Sequence, residues 1–503
     1  MRSHAKGSAA PRRASSASAA DFCVVGAGAG GAVAAAELAE AGARVILLEQ
    51  GPSHDADAFT ARPPEMLARL YRDGGQTATL GSPPILLPLG RGIGGTTLVN
   101  SGTCFRTPAP VLDRWRREFG VDVDEDSLAP CFERVERSLS VATVTPELAG
   151  ANAAVARRGA ERLGWSHGYL RRNARGCVGS GVCVYGCPTS AKQHTGITYV
   201  PRAQAAGASV ISGADVREVV VEGGRARGVL VRLAGGRRLR VSAPNVILAC
   251  GTVHTPLLLE RSRVPDPSRQ RGRNLSLHPA TAAFALMDEV VDMARGVPQS
   301  FYVDEFAGEG IMLETVAGPP GYAAMSLPLQ GERHAAAMAD YRRLAQIGLM
   351  VSDSSRGRVH LVAGRPVIRY DLADADLAKM RAGLARTQQL LQAAGAREVF
   401  LPLPPGVKPR GAGRRDLKLL AFHPLGTARA DARPAHGVTD GDLAVHGMRG
   451  LYIADGSVVP SALGVNPQLT IMALATRLAF HLLGAEPRAA ARNDEKERSA
   501  CPS

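Results

Sequence analysis

The first strong hydrophobic pattern lies near the amino terminus. Phe22 to Val25 is an apolar run of strand length, and the alanine-rich stretch that continues to Ala41 has helical character. Between them stands Gly26-Ala27-Gly28-Ala29-Gly30-Gly31, and Gly42 separates the helix from a second apolar strand over 44–48 that ends in Glu49. Strand, glycine turn, helix and strand in this order predict a dinucleotide-binding unit. Gly26 permits the tight turn, Gly28 lets backbone approach a pyrophosphate, Gly31 allows close helix packing, and the helix N-terminus faces the phosphates. The Glu49 carboxylate stands where ribose hydroxyls are accepted, and its charge disfavours a 2′-phosphate. Taken alone, the unit leaves NAD and FAD both open.

Further along, Ser209 to Ala249 alternates as strands around Gly223-Gly224. Residues 351–370 read as strands about a Gly364-Arg365-Pro366 turn, with a helix following from Asp374 to Ala394. No segment reaches the roughly 18 uncharged apolar residues of a membrane span, and Arg477 interrupts the most apolar late stretch. An integral membrane protein is not expected. Residues 1–20 are rich in Ser, Ala and Arg without an apolar signal core, and they read as a disordered tail, as do 487–503.

Composition narrows the partners. The 503 residues, 45% hydrophobic, can bury a large core in two or three structural units. A net charge of +14 attracts polyanions, but the arginines are scattered beyond the N-terminal tail and aromatic residues amount to only 4%. Base-stacking platforms are therefore scarce, and no nucleic-acid partner is expected. Three of the eight cysteines fall within 177–187, which argues for a local role over a disulfide framework and fits a reducing, cytoplasmic setting. Cys23, Cys104, Cys131 and Cys250 lie in apolar surroundings and read as buried small hydrophobes.

Four further segments carry a resemblance. They are Gly90-Arg91-Gly92-Ile93-Gly94-Gly95-Thr96-Thr97-Leu98-Val99-Asn100, Gly251-Thr252-Val253-His254-Thr255-Pro256, Gly272-Arg273-Asn274-Leu275-Ser276-Leu277-His278-Pro279, and a C-terminal set. That set comprises His423-Pro424-Leu425-Gly426-Thr427, Asp455-Gly456-Ser457 and Asn466-Pro467-Gln468-Leu469-Thr470. In this order and spacing the chain resembles the glucose-methanol-choline (GMC) oxidoreductases, with the cholesterol oxidase and long-chain alcohol oxidase branches nearest in flavour. The resemblance implies an α/β, overall α+β, fold: an FAD-binding Rossmann-like domain from 21–110, 196–285 and 418–486, and a discontinuous substrate domain on an antiparallel sheet from 111–195 and 286–417. It implies FAD as cofactor, held by Gly26, Gly28, Gly31, Glu49, Gly94, Gly95, Thr96, Asn100, Val216, Asp455, Gly456 and Pro467. Leu277 stands where the family usually has Asp, a departure that weakens a local polar contact.

Alcohol oxidation needs a group to take or anchor the hydroxyl proton while hydride leaves carbon. The resemblance assigns this chemistry to His423, as base or hydroxyl anchor, and to Asn466, which also suits a helix cap before Pro467. The expected function is FAD-dependent oxidation of a small-molecule, hydrophobic alcohol, with oxygen or an electron carrier as acceptor. The alternatives are a redox-silent flavin lyase of the same fold, or a cluster-assisted sugar or alcohol dehydrogenase that passes electrons to a carrier. Cys177, Cys183 and Cys187 match the ferredoxin pattern except that Ser180 replaces its second cysteine, and they resemble the three-cysteine segment of cluster-bearing FAD glucose dehydrogenases. This leaves open an iron–sulfur cluster that relays electrons, or a glycine-rich loop with free thiols. His254 and His278 read as structural histidines.

Overall fold

A computed structural model describes residues 15–486. Phe22–Val25, Val45–Leu48, Asn245–Leu248, Leu451–Ile453 and Ser209–Ile211 form one parallel sheet, with Leu451–Ile453 and Ser209–Ile211 at its edges. The first two strands are buried at every position, as expected of a parallel sheet covered by helices on both faces. Ala29–Glu40 packs on this sheet and against the C-terminal helix Gln468–Leu483. A second sheet orders Ser15–Ala19, Arg238–Ser242, Arg225–Leu233 and Ala214–Glu222.

The third sheet is mainly antiparallel. It runs Ile85–Leu86, Leu419–Leu420, Ala280–Leu286, Leu344–Val351, Ile311–Thr315, Phe301–Val303 and His167–Tyr169, and Glu398–Phe400 also pairs with Ala280–Leu286. Asp374–Ala393 and Ala151–Leu163 pack together behind it. Each side of the molecule has its own hydrophobic core.

Three expectations change. Part of the stretch over 1–20 expected to be a disordered tail is a strand: residues 1–14 lie outside the described residues, but Ser15–Ala19 pair in parallel with Arg238–Ser242, a free sheet edge that offers its backbone groups partners. The C-terminal tail over 487–503 also lies outside them. The boundary at 285 cuts the strand Ala280–Leu286, which belongs with the antiparallel sheet, and 85–86 and 419–420 supply that sheet's edge. Residues 111–138 belong with the parallel sheet, because Trp115, Phe119, Leu128, Phe132 and Val135 bury their side chains in its core and the helix Glu125–Ser138 packs on Gln468–Leu483. The hairpin Arg358–Val362 and Arg365–Arg369 and the helix Asp374–Ala393 lie where the pattern placed them. No described helix is long and apolar enough to cross a membrane.

Phe284 is fully buried in the strand that pairs on both sides. Phe284→Ala is expected to cost about 3–5 kcal/mol, read as a lower urea midpoint; an unchanged midpoint would contradict this account of the core.

Candidate active site

The carboxyl ends of the parallel strands open onto a cavity of about 1450 Å³ that continues to the antiparallel sheet. At its first end the glycine turn behaves as its spacing predicts. A Cβ on Gly26 would meet the Ala249 carbonyl oxygen at 2.2 Å, and one on Gly31 would meet that of Gly26 at 1.9 Å. At Gly28 the nearest atom would be the Gly95 Cα, 3.9 Å away, so this position faces open cavity where a pyrophosphate fits. Glu49 is buried at the strand end; its two oxygens accept the N–H of Ala27 at 3.0 Å and of Gly51 at 2.7 Å. Burial raises its pKa. Asp455 is buried too, with its pKa likewise raised, and it ties three segments by accepting from Gly251 N at 2.9 Å, Ser457 N at 2.8 Å and the Thr255 hydroxyl.

Gly95, Thr96, Asn100, Val216, Gly456 and Pro467 all line the cavity, whereas Gly31 and Gly94 do not. Gly31 is a packing position. Gly94, at φ +113°, makes the turn that its neighbours use. The Asn100 amide nitrogen donates to Gln468 Oε1, and Asn100 Oδ1 and Gln468 Nε2 are buried without partners. Orphaned amide groups of both polarities in the cavity wall suit the polar edge of a flavin ring. The residues present therefore fit FAD.

At the other end stand His423 and Asn466, with His423 Nε2 and the Asn466 amide nitrogen 3.4 Å apart. The helix begins at Gln468 with no side-chain cap, so Asn466 is not the expected helix cap and its amide is left to the cavity. Burial, and then His278, hold His423 well below the ordinary imidazole range. His278 is fully buried with its Nδ1 3.3 Å from Nδ1 of His423. It has φ +50° and is held there by Asp353, which accepts the N–H of Leu277 and His278 at 3.1 Å each and the Ser276 hydroxyl at 2.7 Å. Asp353 thus supplies the carboxylate that Leu277 lacks.

Sequence reasoning missed Glu314. It is buried in the strand Ile311–Thr315, lines the same cavity, accepts from Gln299 Nε2 at 2.7 Å through Oε2, and leaves Oε1 buried without a partner. Burial raises its pKa to about 7, partly offset by the amides of Asn466 and Gln299. A glutamate within the apolar run Ile311-Met312-Leu313 was the signal. Gln346 is the second missed polar group: it lines this end fully buried, with both amide atoms unpartnered. His254 lines the cavity as well, and Cys250, expected as a buried hydrophobe, is only half-buried there.

Of the two readings left open for the cysteine loop, the structure does not support the iron–sulfur cluster. Cys177, Cys183 and Cys187 border one small pocket, but no group of three or more His, Cys, Asp or Glu among the described residues is placed to hold a metal ion. Two of the three sulfurs meet protein donors. Cys183 accepts from the Arg172 guanidinium at 3.2 Å and Cys187 from the Lys192 N–H at 3.4 Å.

Comparison with known proteins agrees with this geometry. Profiles described as GMC oxidoreductase match residues 67–280 and 353–475, and one for an NAD(P)-binding Rossmann-like domain matches 24–83. An uncharacterised GMC-type oxidoreductase of Mycobacterium tuberculosis is 42% identical over 92% of this chain and 75% of its own length. The chain belongs to the GMC oxidoreductase family. As a GMC oxidoreductase it is an FAD-dependent enzyme. A long-chain-alcohol oxidase of Arabidopsis thaliana is 28% identical over 90% of the chain and 65% of its own length. Pyridoxine 4-oxidase from Mesorbium loti shares the fold at TM-score 0.73 and 19% identity, covering 92% of this chain and 99% of that one.

The two glycines separate packing from cofactor contact. Gly31→Ala is expected to lose folded, soluble protein, whereas Gly28→Ala is expected to fold with native circular dichroism yet carry little flavin absorbance. Full flavin in Gly28→Ala would remove the pyrophosphate from this position.

Proposed function

We propose that this enzyme oxidises a hydrophobic primary or secondary alcohol to the aldehyde or ketone. The observation that carries the reading is the meeting of His423 and Asn466, from separate segments, in the cavity that also contains the cofactor cradle. Bound FAD supplies the acceptor for the hydride. The chain's own residues bind and orient the alcohol: two neutral side chains with donor and acceptor atoms hold the hydroxyl oxygen at one point. Around them Leu86, Met325, Leu349, Leu417, Leu420 and Phe422 line the cavity and suit an apolar chain while excluding water. The likeness to long-chain-alcohol oxidases supports the same substrate class and oxygen as the acceptor.

Anaerobic mixing with a series of primary alcohols of rising chain length is expected to bleach the flavin, faster for the longer chains; no bleaching by any alcohol would leave a lyase or another redox-silent flavoprotein as the reading. His423→Ala is expected to keep its flavin and lose about 100- to 10,000-fold in turnover. Near-normal turnover would remove His423 from the chemistry.

A further inference from the structure

Gln346 is a buried polar group that the chemistry at His423 and Asn466 does not use. It stands in Leu344–Val351, where side chains alternate between the two faces of the sheet, so Gln346, Gly348 and Met350 share one face, and all three line the cavity. Gly348 is opposite Glu314, on whose carboxyl the Asn466 amide bears. Gln346 lies two residues further along, about 7 Å away at the ordinary rise of a strand. A Cβ on Gly348 would meet the Val316 side chain at 2.7 Å, so Val316 supplies the apolar surface between the two points. The backbone at 346 is fully provided for: its N–H donates to Asn152 Oδ1 at 2.9 Å, and its carbonyl accepts from Asn152 Nδ2 at 3.0 Å and from the Val316 N–H at 3.3 Å. The side chain is not. Its Oε1 and Nε2 are both buried without partners, and turning the amide over exchanges the two atoms without removing the deficit.

Tyr322, in the short helix Pro320–Ser326, lines the same cavity. Burial pushes its hydroxyl up to about 12 and Gln346 beside it opposes part of that shift, yet the two stop short of a hydrogen bond that would satisfy the amide. An interior amide with neither partner costs stability, and an apolar side chain of the same length would not. Whatever completes it must present a donor and an acceptor at one point. A carboxylate offers only acceptors and an ammonium only donors, whereas a hydroxyl offers both. We propose that Gln346, with the Tyr322 hydroxyl beside it, holds a second hydroxyl of the substrate, so that the alcohol oxidised at His423 and Asn466 is a diol whose apolar chain crosses Val316. The inference rests on the alcohol-oxidation reading and narrows it. An alcohol without the second hydroxyl leaves the amide desolvated and unpaired, a deficit that a site built for a hydroxyl penalises strongly.

The test compares anaerobic flavin reduction by α,ω-diols, from butanediol to octanediol, with reduction by the monoalcohols of equal length, on the flavin-loaded full chain. The wild type is expected to favour the best diol by about tenfold or more in kcat/KM; equal values, or a preference for the monoalcohol, overturn the proposal. Gln346→Met is expected to reverse the preference, with diols losing and monoalcohols gaining, and a diol preference retained in this variant overturns the assignment. Urea unfolding without any alcohol separates a ligand-holding amide from a structural one. The Gln346→Met midpoint is expected to hold or rise, because the orphaned amide is gone; a fall marks Gln346 as structural and counts against the subsite. In the wild type the diol is also expected to raise the midpoint more than the monoalcohol does, a measure of binding that needs no turnover. If no alcohol reduces the flavin, the alcohol reading falls, while this difference still decides the subsite: a larger shift with the diol supports it, and equal shifts overturn it. If Gln346→Met fails to load flavin, Tyr322→Phe replaces it: a diol preference cut several-fold supports the assignment, and an unchanged preference overturns it.

Discussion

The site depends on how closely the backbone at 26–31 is pressed between two other chain segments. A Cβ on Gly26 would lie 2.2 Å from the Ala249 carbonyl oxygen, and one on Gly30 would lie 1.8 Å from that of Ala454. Those carbonyls follow the strands Asn245–Leu248 and Leu451–Ile453, so contact at two glycines brings three distant stretches together at one helix N-terminus. Asp455 then locks the arrangement through Gly251, Thr255 and Ser457. From there the chain runs to Asn466 over a loop that Arg114 and Trp115 hold at Ser461 and Ala462. The Asn466 amide that lines the cavity is thus positioned by a contact begun at the glycine turn.

The half of the fold built on that contact was legible because its signals are local. Gly26 to Gly31, the buried strands beside them and Glu49 sit within one short stretch, and the physical demands on each residue type are specific. The antiparallel half was harder to read. Leu344–Val351 and Ile311–Thr315 are buried at every position, so they show no period-two alternation, and their sheet also takes in His167–Tyr169, far away in the sequence. The helix Glu125–Ser138 was assigned to the wrong side for a related reason. Its amphipathic face shows that it packs on something but does not identify the surface.

The site divides along the same line. His423 and Asn466 stand in recognisable motifs, whereas Glu314, Gln346 and Asp353 are single polar residues whose meaning appears only once burial removes their water. Leu277 shows the limit clearly: it read as a lost polar contact, yet Asp353 restores that contact from another segment and holds His278 at positive φ. A sequence motif records which residues are adjacent in the chain. The motif does not record that His278 Nε2 accepts the backbone N–H groups of Leu463 and Gly464.

The cysteine loop is the case where a motif was legible but left two readings open. No three of its groups among the described residues are placed to hold a metal ion, and Cys183 and Cys187 accept from the Arg172 guanidinium and the Lys192 N–H. What the loop does contribute is a clamp. The fully buried Lys192 ammonium donates to the carbonyls of Cys183 at 2.8 Å, Leu98 at 2.8 Å and Asn100 at 2.7 Å, using all three of its protons. Burial lowers its pKa to about 8, so the charge persists at neutral pH and the carbonyl dipoles satisfy it. Two of those carbonyls belong to the segment that presents Asn100 to the cofactor cavity. The loop therefore shapes the wall of the cavity beside Asn100.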